Sequence, residues 1–402
     1  MDEIKFEIIK KTIETNFKSR NINSISSLNT TSPPSIFVGS KLKYPLVNIG
    51  ILSPIERDEN AGIYDSPDYW AKKNLTIRDI LNLRKNLLNS RFRANVNDSK
   101  SEKQKFIQIS QELASSSKPV DVEIELKKEI STITKRDKIL APQEMVAPLK
   151  RVRVTGNVKI DRRVDKIMND EIKAAEGISY LYENNFNEYF LSKVLSAGVI
   201  GLKKDRKFVP TRWSITATDD IIGKKLLKKI REYKSIENYE LFFGEFLGNA
   251  YLIMFFPYLW SYELFEIYLP GGSWNPNKEI KASTDFEGYE GRKDYAAATG
   301  GGYYASKLPI LEYLEKIKRQ SSVLAIRIEL PTYWAALGVW VVRESVRKAL
   351  NKEKMEFSEM KEMIENVRKI GMIKWGFNSD KILKNSKLLE NIKTQTTLER
   401  WF

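Results

Sequence analysis

The sequence predicts a mixed α+β fold of two closely packed lobes, with antiparallel β-sheet and surrounding helices, followed by a flexible C-terminal tail. The chain has 402 residues, more than one hydrophobic core usually serves, and 42% of them are hydrophobic. Segments with the two-residue period of strands are interspersed with segments of helical spacing, and there is no internal repeat. We place the N-terminal lobe at 1–130, the C-terminal lobe at 131–372 and the tail at 373–402.

The N-terminal lobe shows both kinds of element. Isoleucines at helical spacing predict an amphipathic helix over 4–17. Four prolines and two glycines among strand-forming residues predict short strands and loops over 32–54. Pro67 is suited to the first position of a helix, and Thr76 is suited to cap the next one. Apolar and acidic residues alternate over 120–126, which predicts a half-buried strand.

The C-terminal lobe has longer and more regular segments. Its predicted elements are, in chain order, helices at 162–184 and 187–199, a strand at 208–216, a basic helix at 218–233, two or three strands within 238–270, a helix ending near 318, a strand at 323–329, and helices near 339–351 and 357–370. A polar, glycine-rich stretch at 271–302 separates the strands from the later helices.

Composition restricts the chemistry. The chain has no cysteine and no histidine, which excludes disulfides, thiolate nucleophiles and a Cys/His zinc site. Any catalysis must use Asp, Glu, Lys, Tyr, Ser or Thr, and any metal must be a hard cation such as Mg²⁺ held by oxygen atoms. The formal net charge of +15 favours a polyanionic partner such as DNA. A solvated surface rich in ion pairs, as in thermophilic proteins, is the alternative explanation.

Nothing in the sequence predicts a membrane protein. The most apolar stretch, 251–260, contains Pro257 and is far shorter than the roughly 18 residues that a span needs. The first residues are charged and lack the apolar core of a secretory signal. We therefore expect a cytoplasmic protein.

The last eight residues, QTTLERWF, fit the sliding-clamp-binding pattern Q-x-x-aliphatic-x-x-aromatic-aromatic. One helical turn would place Leu398 beside Trp401 and Phe402 as an apolar plug, and Gln395 could hydrogen-bond at the rim of the receiving pocket. The expected partner is PCNA, and the lysine-rich residues 379–394 would reach toward DNA in the clamp. A terminal helix that folds back onto the core is the alternative.

Residues 209–220 are the internal segment with the most candidate functional side chains. Strand alternation would put donors suited to phosphate oxygens on one face and Trp213 in the core; these donors are Arg212, Ser214, Thr216 and Thr218. Asp219 and Asp220 would follow at the N-terminus of the next helix. There they could hold a cation or merely cap the helix.

Residues 284–304 concentrate acids, bases, glycines and tyrosines. The glycines, Gly301 among them, could present backbone N–H groups to a phosphate, although they fit neither a Walker A loop nor a dinucleotide fingerprint and are often only a turn. Side chains that could stack on bases and grip a backbone are Tyr303, Tyr304, Arg292 and Lys293. In a nuclease, Asp285 and Glu287 would be metal or acid–base candidates.

Seven blocks of the sequence together resemble the Nre family of archaeal DNA-repair proteins. The blocks are 32–50, 64–70, 190–201, 209–220, 260–274, 288–314 and 337–350. The resemblance implies a DNA-damage-response protein that works with PCNA, since family members also end in a clamp-binding box. Many members begin with a cysteine cluster typical of a zinc site, and this chain has none.

These observations lead to three hypotheses. The first is a DNA-repair factor recruited to PCNA, with a basic groove built from 32–50, 209–220 and 285–304 that binds nucleic acid or a phosphate-bearing ligand. The second is a DNA- or nucleotide-processing enzyme, such as a carboxylate- and Mg²⁺-dependent nuclease or a nucleotidyl- or ADP-ribosyl-transferring enzyme. The third is an adaptor that holds another repair protein at the clamp.

Overall fold

The computed structural model describes residues 25–101, 104–132, 139–275 and 277–394. Helices and two mixed β-sheets make up the chain, so the predicted α+β class is confirmed. The chain divides into two compact units between Ile222 and Gly223. The predicted helix over 4–17 and the clamp-binding residues 395–402 lie outside the described residues.

The first unit contains a sheet in the order β1-β5-β7-β4-β3-β2, with the short β6 paired to β7. Its strands are β1 (Ser27–Ser32), β2 (Ile36–Val38), β3 (Leu46–Pro54), β4 (Leu87–Asn95), β5 (Val120–Leu126), β6 (Ser131–Thr132) and β7 (Met145–Val154). Only β4 and β7 pair in parallel. Because β7 joins both halves of this sheet, the predicted lobe boundary at 130 falls inside the first unit.

Helices surround this sheet. They are α1 (Pro67–Lys72), α2 (Ile77–Lys85), α3 (Lys105–Ser115), α4 (Arg162–Asn169), α5 (Ala174–Glu183), α6 (Glu188–Ser196) and the first part of α7 (Thr211–Ile230), which continues into the second unit. The predicted start signals are confirmed, since Pro67 begins α1 and Thr76 forms a capping box with Asp79. The single helix predicted over 162–184 is in fact two helices, α4 and α5, which are separated after Asn169.

The core of the first unit follows from strand alternation. In β5, Val120, Val122, Ile124 and Leu126 are buried, and the acidic residues between them are not. The buried residues join a cluster that includes Leu113 of α3 and Val152 of β7. The half-buried strand predicted over 120–126 is therefore confirmed.

The second unit contains a sheet in the order β11-β10-β12-β9-β8-β13, in which only β10 and β12 pair in parallel. Its strands are β8 (Tyr239–Phe246), β9 (Asn249–Phe256), β10 (Ser261–Tyr268), β11 (Lys281–Glu287), β12 (Ser322–Glu329) and β13 (Met355–Phe357). Its helices after α7 are α8 (Gly301–Ile317), α9 (Trp340–Leu350), α10 (Met360–Trp375), α11 (Asp380–Lys384) and α12 (Lys387–Thr394).

The two faces of this second sheet differ in chemistry. One face is apolar, and it packs with Met363 and Val367 of α10 and with Leu388 of α12. The opposite face carries Tyr251, Glu266 and Arg327, and it is covered by α8 and α9. Both faces of the sheet are therefore covered, and every residue of β9 and β12 is buried.

Much of the predicted tail is folded. Helix α12 begins at a carboxylate on the sheet: Glu263 of β10 accepts hydrogen bonds from Ser386 Oγ (2.5 Å), Leu388 N (3.0 Å) and Lys387 N (3.2 Å). The neighbouring Leu389 is also buried in the core. Residues 380–394 are therefore not a free tether, because an anion at the helix N-terminus and an apolar face hold them to the sheet.

Within the described ranges, no helix is both long enough and apolar enough to cross a membrane.

We predict that Glu263→Ala will release α12 from the sheet. The substitution leaves the three donors at the start of α12, and Thr284 Oγ1 of β11, without their acceptor, and it should lower the free energy of unfolding by about 1–3 kcal/mol. Limited proteolysis should then cut after Lys387 or Lys393 faster than in the unmodified protein. Glu390→Ala, an exposed change on the same helix, serves as the control and should leave the cleavage rate unchanged. Equal cleavage of both variants would contradict the role of Glu263.

Candidate functional site

Several buried charged residues of the second sheet lie on the face that α8 and α9 cover. Glu287 of β11 lies opposite Tyr262 of β10, and Glu266 of β10 lies opposite Arg327 of β12. Residues directly opposite each other share one face of a sheet. We call the set Glu266, Glu287, Lys307 and Arg327 the polar layer. All four side chains are less than a tenth exposed.

The first ion pair of the polar layer joins α8 to β11. Lys307 Nζ lies 3.1 Å from Glu287 Oε2, and the indole N–H of Trp260 donates to Glu287 Oε1 at 3.1 Å. The Glu287 side chain is fully buried. A buried carboxylate is tolerated only when a cation and hydrogen-bond donors compensate its lost hydration. Lys307 and Trp260 provide that compensation.

The second ion pair lies within the sheet. Arg327 donates to Glu266 Oε1 at 2.5 Å and to Asn249 Oδ1 at 2.6 and 2.9 Å. Tyr268 donates its hydroxyl to the other oxygen of Glu266 at 2.8 Å. Burial by itself would lower the pKa of Arg327. The negative charges around it, that of Glu266 first, outweigh this effect, so the pKa of Arg327 is raised above its usual range. Arg327 therefore stays charged inside the unit.

A glycine allows α8 to lie close to this pair. A Cβ atom on Gly302 would stand only 2.3 Å from Glu266 Oε1, so a larger residue at this position would displace the carboxylate. Gly300, just before α8, has a positive φ of 57°. The glycines at 300–302 are thus explained by chain geometry and by close approach to a side chain.

Two backbone amides just ahead of the glycines predicted to bind a phosphate bind one of the protein's own carboxylates. Asp285 Oδ2 accepts hydrogen bonds from Ala298 N (3.0 Å), Thr299 N (2.8 Å) and Thr299 Oγ1 (2.8 Å). Asp285 Oδ1 lies 3.2 Å from Arg292. The amide groups ahead of Gly301 therefore bind an internal anion.

The two predicted stacking tyrosines are inside the second unit. Tyr303 is fully buried and Tyr304 is 6% exposed. The Tyr303 ring lies 5.3 Å from both Arg292 and Lys307, and burial raises the pKa of its hydroxyl well above the usual value. The neighbouring Lys293 is exposed. Of the predicted residues between 285 and 304, Lys293 presents its charge most openly.

The predicted strand over 208–216 is wrong, because residues from Thr211 onward form α7. Trp213, which was expected in the core, is 51% exposed. The hydroxyls of Ser214 and Thr216 donate hydrogen bonds to backbone carbonyls of their own helix. Ser214 donates to Thr211 O at 3.0 Å, and Thr216 donates to Arg212 O at 3.5 Å. These hydroxyls do not form a row of phosphate donors, although Arg212 is exposed.

Two segments of the predicted groove do meet in the first unit. Val38 N donates to Thr211 Oγ1 at 2.8 Å, and the rings of Tyr44 and Trp213 lie 6.5 Å apart. Tyr44 is 58% exposed, so the pair forms an aromatic surface beside the exposed Arg212. The sequence reasoning missed this pair because it placed Trp213 in the core.

The metal candidates belong to no metal-binding cluster among the described residues. Asp219 and Asp220 lie in the middle of α7 and not at a helix N-terminus, and Asp219 is buried. Among the described residues, no group of three or more acidic side chains is arranged to hold a metal ion. The clamp-binding candidates Gln395, Leu398, Trp401 and Phe402 lie outside the described residues.

We predict that Glu287→Gln will destabilise the second unit strongly. The change leaves Lys307 as an unpaired buried cation, which should lower the free energy of unfolding by roughly 3–5 kcal/mol in urea denaturation. The matched control is Glu315→Gln, which removes the carboxylate from Lys318, a largely exposed partner, and should cost about 0–1 kcal/mol. The double variant Glu287→Gln/Lys307→Met should recover part of the loss. Equal effects at both glutamates would refute the structural role of the polar layer.

Comparison with known proteins gives a consistent result. The profile for the N-terminal part of archaeal Nre proteins matches residues 2–275, and the profile for the C-terminal part matches residues 287–401. The chain is 41% identical to DNA repair protein NreA of Archaeoglobus fulgidus over 82% of this chain and 81% of that protein. It is 36% identical to DNA repair protein NreA of Haloferax volcanii, over 83% of this chain and 80% of that protein. It is also 36% identical to NreB of A. fulgidus, over 84% of each. No solved structure matches this chain.

Proposed function

Because the chain belongs to the archaeal Nre family, we propose that it is a DNA-repair protein that binds the PCNA sliding clamp through residues 395–402 and acts on DNA from there. The observation that carries the proposal is the similarity to relatives named DNA repair proteins, at 36–41% identity over about four fifths of both chains. The similarity therefore extends over both compact units and is not limited to one shared motif.

The C-terminal residues supply the proposed clamp contact. Gln395, Leu398, Trp401 and Phe402 have the spacing of a clamp-binding box. In sequence, the box begins directly after Thr394, the last residue of α12, and α12 is held to the sheet by Glu263. The box therefore follows an anchored helix, so it would hold the folded body near the clamp and near the DNA inside it.

Two of the four predicted catalytic residues, Asp285 and Glu287, are bound by side chains and amides of the protein itself. Asp285 is bonded to Arg292 and to two backbone amides, and Glu287 is bonded to Lys307 and Trp260. A general acid or base must exchange protons with a substrate, and a metal ligand must offer a lone pair to the ion. Internal partners already occupy these carboxylates. This supports a DNA-binding or adaptor role over a nuclease or transferase that uses them.

The proposal is tested by removing the apolar plug of the box. The variant Leu398→Ala/Trp401→Ala/Phe402→Ala should lose affinity for PCNA on the order of 100-fold or more, because buried anchors carry most of the binding energy in such interfaces. Isothermal titration of the full-length chain with PCNA measures the effect. The control Thr396→Ala/Thr397→Ala changes only the variable positions of the motif and should bind like the unmodified chain.

The plug variant and the control should also differ in how well they restore survival of cells after DNA damage. In a strain that lacks the protein, the control should restore survival after DNA damage and the plug variant should not. Unchanged PCNA affinity in the plug variant would contradict the proposal that residues 395–402 bind the clamp. Normal damage survival in the strain that lacks the protein would sink the repair proposal.

A further inference from the structure

The first unit contains a cleft where its sheet divides. Strands β4 and β7 pair in parallel only as far as Arg91 and Pro148. Beyond that point β7 pairs with β5, beginning at Leu149 and Leu126. The two parallel strands therefore separate, and a cleft of about 870 Å³ opens between them. This volume lies within the range of about 300–1,000 Å³ that is typical of ligand sites.

The described lining of this cleft has one sign of charge. It includes five cationic side chains and no Asp or Glu: Arg91, Arg93, Lys105, Lys127 and Lys128. Four of the five are exposed, and Arg91 is half-buried. Within the described ranges none of the five forms an ion pair with a carboxylate. A concave site lined by one sign of charge concentrates ligands of the opposite sign.

Arg91 carries a buried donor that the described residues leave unsatisfied. Its Nε is buried and has no hydrogen-bond partner among the described residues. Its guanidinium lies 5.8 Å from the centre of the Phe37 ring, which attracts the cation but does not accept its N–H. Burial lowers the pKa of Arg91, so its charged form is incompletely compensated. A phosphate oxygen in the cleft would satisfy this donor.

The cleft also offers apolar and backbone contacts. Phe92 and Phe106 line it as a half-buried pair, with ring centroids 5.4 Å apart. Helix α3 begins there, at Lys105, with no side-chain cap at Gln104 and no acidic residue in its first turn. The N-terminus of this 11-residue helix adds a partial positive charge to the lining of the cleft.

From these features we infer that the cleft between β4 and β7 binds a single-stranded segment of nucleic acid, with its phosphates on Arg91, Arg93, Lys127 and Lys128 and a base against Phe92 and Phe106. A single strand fits better than a duplex because its base faces are free to contact aromatic side chains. The inference rests on the proposed function in one respect, since it assigns the place where this DNA-repair protein holds DNA.

The test is the binding of a short fluorescein-labelled oligodeoxythymidylate to the full chain, followed by fluorescence anisotropy at several salt concentrations. The variant Arg93→Glu/Lys127→Glu/Lys128→Glu should bind at least about ten-fold more weakly. The slope of log K against log salt should fall by about 2, since each neutralised phosphate of a single strand contributes about 0.7. All three side chains are exposed, so the fold should be retained, as circular dichroism will verify.

The matched control has the same change of charge away from the cleft. Lys73→Glu/Arg78→Glu/Lys173→Glu alters three exposed cations of the same unit that do not line it, and it should reduce affinity by less than about two-fold. Equal losses in the two variants, or no loss in either, would overturn the cleft assignment. Tighter binding of a duplex of the same length would overturn the assignment of a single strand. Full displacement of the oligonucleotide by an equal concentration of deoxythymidine monophosphate would assign the cleft to a free nucleotide.

The same protein preparations are also titrated with PCNA. The cleft variant should bind the clamp normally, because its substitutions lie in the first unit and the box is intact. Normal clamp binding with unaltered oligonucleotide affinity means that only the cleft assignment fails. Cleft-dependent oligonucleotide binding without any clamp binding means that the recruitment proposal fails.

Discussion

The second unit depends on the pairing of charges that are buried between α8 and the sheet. A carboxylate or cation that loses its water is stable there only if an opposite charge and hydrogen-bond donors or acceptors replace that water. Glu287 and Lys307 meet this requirement between helix and strand, and Glu266 and Arg327 meet it within the sheet. The pairs fix the position of α8, because its lysine must reach β11 while Gly302 leaves room for Glu266. The polar layer thus specifies one packing of this helix on the sheet.

This constraint changes the interpretation of the most polar part of the sequence. Acids, bases, glycines and tyrosines crowded into 284–304 resemble a catalytic or phosphate-binding loop. In the structure these groups bind one another: Asp285 accepts hydrogen bonds from the amides of Ala298 and Thr299 and forms an ion pair with Arg292. Function is better sought where charges have no internal partner, and the cations around Arg91 meet that criterion.

Sequence reasoning succeeded where the signal was local. The alternation over 120–126 and the capping box at Thr76 depend on neighbours within a few residues, and both are present. It failed at 208–216, where polar and apolar residues alternate by chance while buried Ser214, Thr218 and Ile222 follow the four-residue spacing of a helix. It also could not foresee that Glu287 pairs with Lys307 or that β4 separates from β7, since both follow from strand register between distant parts of the chain.

The proposed clamp box and the proposed cleft would reinforce each other. Binding of one site raises the local concentration of DNA or clamp at the other, and this effect is largest when the connection between the sites is short and stiff. A long flexible tail over 373–402 would dilute it. Glu263 anchors α12, so the described part of the tail up to Thr394 is held to the sheet, and loosening that anchor should weaken binding to a clamp loaded on DNA more than binding to the clamp alone. If both proposals hold, the buried carboxylate of Glu263 on β10 would contribute to how firmly the protein is held at DNA.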